Sequence, residues 1–75
     1  MIYTMEIELT GHVTISVDAE SVEEALARSD IFTIVNQYRR KYNSDMDTAY
    51  QLIDHIQPVT IRDEKGDLKW RVEQQ

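Results

Sequence analysis

The feature that most constrains the fold is an alternation of apolar and polar residues near both ends of the 75-residue chain. Side chains of a β-strand point to its two faces in turn, so a period of two is typical of half-buried antiparallel strands. The alternation therefore predicts a β-hairpin over residues 2–18 and another over residues 58–73. The apolar positions are Tyr3, Met5, Ile7, Val13, Ile15 and Val17 in the first, and Val59, Ile61, Leu68, Trp70 and Val72 in the second.

The register of the first hairpin follows from the need to keep its apolar residues on one face. A three-residue loop of Leu9, Thr10 and Gly11, with Gly11 at positive φ, meets this need. A two-residue turn would place apolar residues opposite polar ones. The predicted cross-strand pairs are Ile7 with Val13, Met5 with Ile15, and Tyr3 with Val17.

The same reasoning selects a four-residue loop for the second hairpin. This loop runs from Asp63 to Gly66, with Gly66 in the left-handed region. We expect Trp70 to belong to the hydrophobic core. The predicted cross-strand pairs are Ile61 with Leu68 and Val59 with Trp70.

The middle of the chain carries two apolar stripes that lie on opposite sides of a helix at ~100° per residue. One straight helix cannot bury both stripes against one sheet. We therefore expect a break between Arg28 and Asp30, with Ser29 or Asp30 capping a second helix. The stripes are Val22, Ala25 and Leu26, then Ile31, Ile34, Val35, Tyr38 and Tyr42.

Capping residues define the ends of these helices. Ser21 and Glu24 have the spacing of a capping box, which opens the first helix. Basic residues suit the last turn of the second helix, and Asn43 is a stop. Ser44 or Asp45 then caps a third helix. The basic residues are Arg39, Arg40 and Lys41, and the third helix has Met46, Ala49, Tyr50, Ile53 and Ile56 on one face and ends before Pro58.

Together these elements predict an α+β fold in the order ββαα(α)ββ. The two hairpins form an antiparallel sheet, and two to three helices pack on one of its faces. Residues 1–75 are predicted to be a single domain, and Met1 at the start suggests a whole small gene product. The chain has no cysteine, so neither disulfides nor thiolate-bound zinc reinforces the core.

The formal net charge of −6 is unevenly distributed along the chain. Residues 1–30 hold seven acids and one base, whereas residues 31–75 hold equal numbers of each. Such a field repels nucleic acid and favours a basic partner, although acidity that only keeps a small protein soluble is the alternative. The outward sides of the hairpins differ in sign, which makes them compatible neighbours in one sheet: Glu6, Glu8 and Asp18 in the first, Arg62, Lys69 and Arg71 in the second.

No residue pattern demands catalysis, a cofactor or a metal. The predicted register places His12 across from Glu8, but at an exposed hairpin end, and His55 lies near a helix end where a cation suits the dipole. The calcium reading of Asp45 and Asp47 fails, because the sixth position of that loop is Tyr50 where an EF-hand needs glycine. We therefore predict a non-enzymatic protein, unless an oligomer assembles a site across chains.

The basic run at residues 39–41 is flanked by Tyr38 and Tyr42, a pattern that resembles an aromatic-basic nucleic-acid patch. A dipole-matched helix terminus explains the same residues. Since the whole chain is acidic, we expect no direct binding to nucleic acid. The sequence also lacks a secretory leader and a long apolar run, which predicts a cytoplasmic protein without a membrane span.

The stretch from Ile2 to Arg28, with strand–turn–strand and then VDAESVEEALAR, resembles the small DpnD/PcfM-like proteins of phages and plasmids. Those proteins also run two strands into a helix opened by an acidic turn. The resemblance implies an accessory protein of a phage or mobile element that acts in the host cytoplasm.

The sequence thus predicts a small protein-binding accessory factor whose acidic residues face a basic partner. One alternative is an inhibitor that imitates the charge of nucleic acid against a host enzyme. Another is a structural homodimer that pairs through strand edges or through the helix face of Tyr38 and Tyr42. The predicted partner-binding residues are Glu6, Glu8, Asp18, Glu20, Glu23 and Glu24.

Overall fold

A computed structural model of the protein describes residues 1–73. Four antiparallel strands form one sheet in the order β2-β1-β3-β4, with helices between the two hairpins, so the predicted α+β fold is confirmed. The hairpins adjoin through β1 and β3. The elements are β1 (Ile2–Glu8), β2 (His12–Asp18), α1 (Val22–Arg28), α2 (Ile31–Tyr42), α3 (Met46–Tyr50), a short 3₁₀ helix (Ile53–His55), β3 (Gln57–Arg62) and β4 (Leu68–Arg71).

The first hairpin has the predicted register, with Ile7 opposite Val13 and the other two pairs in place. The prediction of positive φ at Gly11 is wrong: among residues 1–73, only Asn43 and Gly66 have positive φ. Glycine is needed at position 11 for a different reason. A Cβ built there would lie 2.5 Å from Cζ of Tyr42, which packs over the turn from α2.

The predicted break between the first two helices is confirmed. Ser29 has extended backbone, and its hydroxyl donates to the carbonyl of Leu26 at 2.7 Å. Asp30 then caps α2 by accepting from the amide of Phe32 at 3.1 Å. The break lets α1 bury Ala25 and lets α2 bury Ile34 in the same core, although their stripes lie on different sides of the helical path.

The capping box of α1 forms only in part. The Ser21 hydroxyl accepts from the amide of Glu24 at 3.1 Å, as predicted. The Glu24 carboxylate, however, pairs with Arg28 one turn later at 2.8 Å. An ion pair of this spacing competes for the carboxylate that the capping box would have used.

The third helix is shorter than predicted. Asn43, at φ 51°, ends α2, and Asp45 caps α3 by accepting from the amide of Thr48 at 2.7 Å. The α-helix then ends at Tyr50, and a 3₁₀ turn carries the chain to β3. Leu52 and Ile56 flank that turn, and both side chains pack against the core. The 3₁₀ turn therefore allows both residues to be partly buried.

The predicted register of the second hairpin is wrong by one residue at Leu68 and by two residues at Trp70. Leu68 lies opposite Arg62, and a bulge at Lys69 brings Trp70 opposite Ile61. Val59 accepts from the amide of Val72 at 2.8 Å, the place that the prediction had given to Trp70. Leu68 consequently leaves the core face and is 45% exposed.

The cause is a longer turn, which spans residues 63–67. The Asp63 carboxylate accepts from the amides of Lys65 and Asp67 at 2.9 and 3.0 Å and adds one residue to the predicted loop. Gly66 has the predicted positive φ, at 84°. The bulge then restores parity, so that Trp70 still faces the core.

The core lies between one face of the sheet and the helices. Trp70 packs against it as a half-buried side chain at the edge. The other face, which we call the open face, carries the alternate strand residues, and no helix of residues 1–73 packs on it. The fully buried core side chains of largest volume are Met5, Ile7, Ile34, Ile61, Val13 and Val35. Within residues 1–73, no helix is long and apolar enough to cross a membrane.

Candidate acidic docking surface

The structure divides the six predicted partner-binding acids between two places. Glu6 and Glu8 lie on the open face of β1, and Glu8 is opposite His12 at the β1–β2 turn. Asp18 lies opposite Ile2. Ile2 is six residues from Glu8 along β1, which corresponds to about 20 Å. Since Glu20, Glu23 and Glu24 follow Asp18 directly into α1, they belong with it.

The turn of the second hairpin adds acids beside Asp18. Thr4 of β1 lies opposite Arg62 of β3, so the β3–β4 turn sits at the same end of the sheet as the end of β2. We call this region the acidic end. It comprises Asp18, Glu20, Glu23 and Glu24 with Asp63, Glu64 and Asp67 of the turn.

The first two residues of the chain bridge the two parts of the acidic end. The Met1 ammonium lies 3.2 Å from Asp18 Oδ1, and the amide of Ile2 donates to Glu64 Oε1 at 2.7 Å. Sequence reasoning missed Glu64, since its position depends on which strand lies beside β1. The alternation of apolar and polar residues shows which side chains face the core, but it does not show that β3 lies beside β1.

Some of these carboxylates already have partners. Glu24 pairs with Arg28, whose other guanidinium nitrogen donates to the carbonyl of Asp18 at 3.2 Å. Burial raises the pKa of the Asp63 carboxyl, but the amides of Asp67 and Lys65, with the Lys69 ammonium, outweigh it and hold that pKa below its ordinary value. These contacts hold the carboxylates of Glu24 and Asp63 in place within the acidic end.

Other acids project freely. Glu20 and Glu23 are exposed, and within residues 1–73 neither forms an ion pair or a side-chain hydrogen bond. The Asp18 side chain is 76% exposed despite its contact with Met1. Exposed carboxylates of this kind can meet a basic surface without first breaking internal contacts.

At the opposite end of the sheet, which we call the turn end, the basic last turn of α2 lies beside the β1–β2 turn and the exposed Glu8. Lys41 at the end of α2 donates to the carbonyl of His12 at 2.6 Å. The Tyr42 hydroxyl accepts from the amide of His12 at 3.0 Å, and the Tyr38 and Thr10 hydroxyls are 3.1 Å apart. Three side chains of α2 thus hold the helix on the β1–β2 turn.

These contacts bear on two sequence-based alternatives. The aromatic part of the aromatic-basic run is directed at the chain's own hairpin, where the Tyr38 and Tyr42 rings lie 4.7 Å apart. Arg39 and Arg40 remain exposed on the same turn of the helix. The helix face proposed for pairing between subunits thus makes contacts within the chain, while Tyr42 stays 44% exposed.

The titratable candidates sit apart from one another. The predicted pairing of His12 with Glu8 across the strands is confirmed, and both residues are exposed. His55 is exposed in the 3₁₀ helix. Asp45 caps α3, and the Thr48 amide and hydroxyl lower the pKa of its carboxyl. Among residues 1–73, no three His, Asp or Glu side chains are grouped as metal ligands.

Two surface grooves among residues 1–73 are lined without a histidine. The larger, of about 450 Å³, is open and lies between β3 and the end of β4, lined by Val59, Thr60, Arg71, Val72 and Glu73. A smaller one of about 90 Å³ lies at the acidic end, beside Met1 and the β3–β4 turn. Within residues 1–73, no polar or charged residue is buried.

Comparison of the chain with known proteins gives no match to a family model, to a curated protein or to a solved structure.

Proposed function

We propose that the protein is a small non-enzymatic binding factor that docks its acidic end on a basic surface of another protein. The observation that carries this proposal is the distribution of charge. Seven carboxylates gather at one end of the sheet and outnumber the cations there, which are the Met1 ammonium, Arg28, Arg62, Lys65 and Lys69, and the basic last turn of α2 lies at the other end. A separated charge orients a partner during encounter, which evenly spread acidity does not do.

A basic protein surface fits this end better than a site that normally holds nucleic acid. Duplex phosphates form a regular, continuous array of negative charge. The acidic end is instead interrupted by cations, which include the Met1 ammonium, Arg28 and Lys69. Residues 2–28 also resemble the DpnD/PcfM-like proteins of phages and plasmids. On this resemblance we propose that the protein is an accessory factor of a phage or mobile element that acts in the host cytoplasm.

The test uses two double variants with the same change in net charge. E20K/E23K alters the acidic end, and E8K/D54K alters exposed acids outside it. Binding of a lysine-rich peptide is followed by NMR at low salt. We expect E20K/E23K to weaken binding about tenfold more than E8K/D54K, with amide shifts concentrated around Glu20, Glu23 and Glu64, and we expect added salt to abolish the difference.

Equal weakening by both variants would show that only net charge matters and would overturn the proposal. A separate competition assay addresses the nucleic-acid-mimic alternative. A basic DNA-binding protein is mixed with labelled duplex DNA and then with the acidic chain. Displacement of the DNA by the wild type but not by E20K/E23K would assign the acidic end to that alternative instead.

A further inference from the structure

The inference concerns β2, which forms one edge of the sheet. In an antiparallel pair, alternate residues of a strand direct their amide and carbonyl groups toward the partner, and the residues between direct theirs away. The amide of Leu9 donates to Gly11 at 2.7 Å, and that of Ala19 donates to Met1 at 2.9 Å. Odd-numbered residues of β2 therefore bond to β1, and even-numbered residues face the free edge.

Side chains from the helices close both ends of this edge. At one end, Lys41 and Tyr42 occupy the carbonyl and amide of His12. At the other, Arg28 donates to the carbonyl of Asp18 at 3.2 Å. Between them, the backbone groups of Thr14 and Ser16 face outward, and within residues 1–73 they form no hydrogen bond. Both residues are exposed.

The other edge of the sheet is a poor template for pairing. β4 has only four residues, Leu68–Arg71, and it contains a bulge at Lys69 and a second cation at Arg71. Shortness, bulges and charge are features that block pairing at an edge. The centre of β2, with its small uncharged side chains, has none of them.

We propose that the free segment of β2 pairs with the same segment of a second copy of this chain. A twofold axis through Ile15 places Thr14 opposite Ser16 of the other copy, and the reverse, in hydrogen-bonded positions. The two pairs exchange four backbone hydrogen bonds and leave no outward group of either residue unused. In this register His12 of each copy lies opposite Asp18 of the other, so the Lys41, Tyr42 and Arg28 side chains must leave these backbone groups before the ends of the two strands can approach.

The charge distribution favours this occupant over an unrelated strand. Antiparallel pairing brings Asp18 of one copy beside His12 of the other. It therefore sets the acidic end of each copy against the turn end of its neighbour, where Lys41 lies. Asp18 of each copy and Lys41 of the other attract each other across the dimer, in spite of the net charge of −6 on each chain.

Pairing through β2 also stops at the dimer. A twofold interface uses the same edge of both copies, and the two edges that remain are the bulged, charged β4 strands. The product is one eight-stranded sheet and not a fibre. This inference does not depend on the proposed docking of the acidic end, because the pairing groups are the backbone of Thr14 and Ser16.

Sedimentation equilibrium from about 10 µM to about 1 mM tests the proposal. We expect the wild-type mass to rise from monomer toward dimer, and higher salt to weaken the association. Thr14→Pro removes the outward amide at a position where an edge strand tolerates proline, and it should remain monomeric. Thr14→Ser keeps the amide and is the matched control, which should dimerise like the wild type.

Amide hydrogen exchange of the wild type gives an independent result if Thr14→Pro fails to fold. The amides of Thr14 and Ser16 should exchange rapidly at low concentration and slowly at high concentration. Val13, Ile15 and Val17 should be protected at both. A wild type that is monomeric near 1 mM, or a folded Thr14→Pro that still dimerises, overturns the proposal. Protection that requires an added foreign peptide would assign the edge to another protein.

Discussion

At the scale of single residues, Gly11 shows that a glycine can be required by a neighbour when its own backbone is ordinary. A methyl group at this position would lie 2.5 Å from Cζ and 2.9 Å from Cε2 of Tyr42. The Tyr42 ring would have to move and would lose its hydrogen bond from the amide of His12. We therefore predict that Gly11→Ala lowers the free energy of unfolding by about 1 kcal/mol, measured by urea denaturation.

The explanation predicts coupling between the two positions. In a Tyr42→Leu background the ring is gone, so Gly11→Ala should cost much less than it does in the wild type. Additive effects would show that the cost arises elsewhere. Gly66 provides a contrast, because no atom lies within 4 Å of the position of its Cβ, while its φ is 84°. An alanine there would be strained by its backbone alone.

At the scale of elements, Asp63 organises the β3–β4 turn through two backbone amides. The pKa of its carboxyl is lowered in the folded protein, so the ionised form stabilises the fold at pH above the ordinary value of 3.8. This contribution is lost as the pH falls through the lowered value. We predict that the melting temperature of the wild type falls more steeply between about pH 5 and about pH 2 than that of Asp63→Asn.

Asp67→Asn is the matched control for this prediction. Asp67 lies in the same turn, but the two amides bond to the Asp63 carboxylate and not to that of Asp67. Its replacement should leave the pH dependence as steep as in the wild type. If both variants flatten the profile equally, the effect comes from the charge of the turn and not from the hydrogen bonds of Asp63.

The two hairpins also show what local sequence can predict. The first has regular strands, so parity alone gave every cross-strand pair. In the second, the Asp63 carboxylate lengthened the turn and Lys69 formed a bulge, two irregularities that offset each other in parity. Trp70 therefore faces the core as predicted, and Leu68 does not. Alternation reports which residues are apolar, whereas the exact register depends on side-chain bonds within the turn.

At the scale of the whole molecule, the sequence predicted that the two hairpins lie side by side in one sheet. It did not predict which strands join them or in what register. Opposite charge suggested that they were compatible. In the structure, Glu6 on β1 meets Thr60 on β3, whose hydroxyl donates to it at 3.4 Å. Four of the seven acids of the acidic end were predictable because Asp18, Glu20, Glu23 and Glu24 are close in sequence. Glu64 joins them only through the pairing of β1 with β3.

At the same scale, the structure has one hydrophobic core shared by both hairpins and the helices, and substitution of Ile61 tests whether this core is shared. Ile61 is fully buried between the hairpins and the helices, opposite Met5 on β1 and Trp70 on β4. Ile61→Ala should lower the free energy of unfolding by about 2–5 kcal/mol, because it leaves a cavity against both hairpins.

Leu68→Ala is the matched control, because Leu68 has the same apolar character but lies on the open face. It should change the free energy by no more than about 0.5 kcal/mol. Trp70 fluorescence reports on the second hairpin, while far-UV circular dichroism reports on the helices and all strands. Since one core serves every element, the two urea transitions should coincide in the wild type and in both variants. Separate transitions, or a Leu68→Ala cost near that of Ile61→Ala, would contradict a single core closed by the second hairpin in this register.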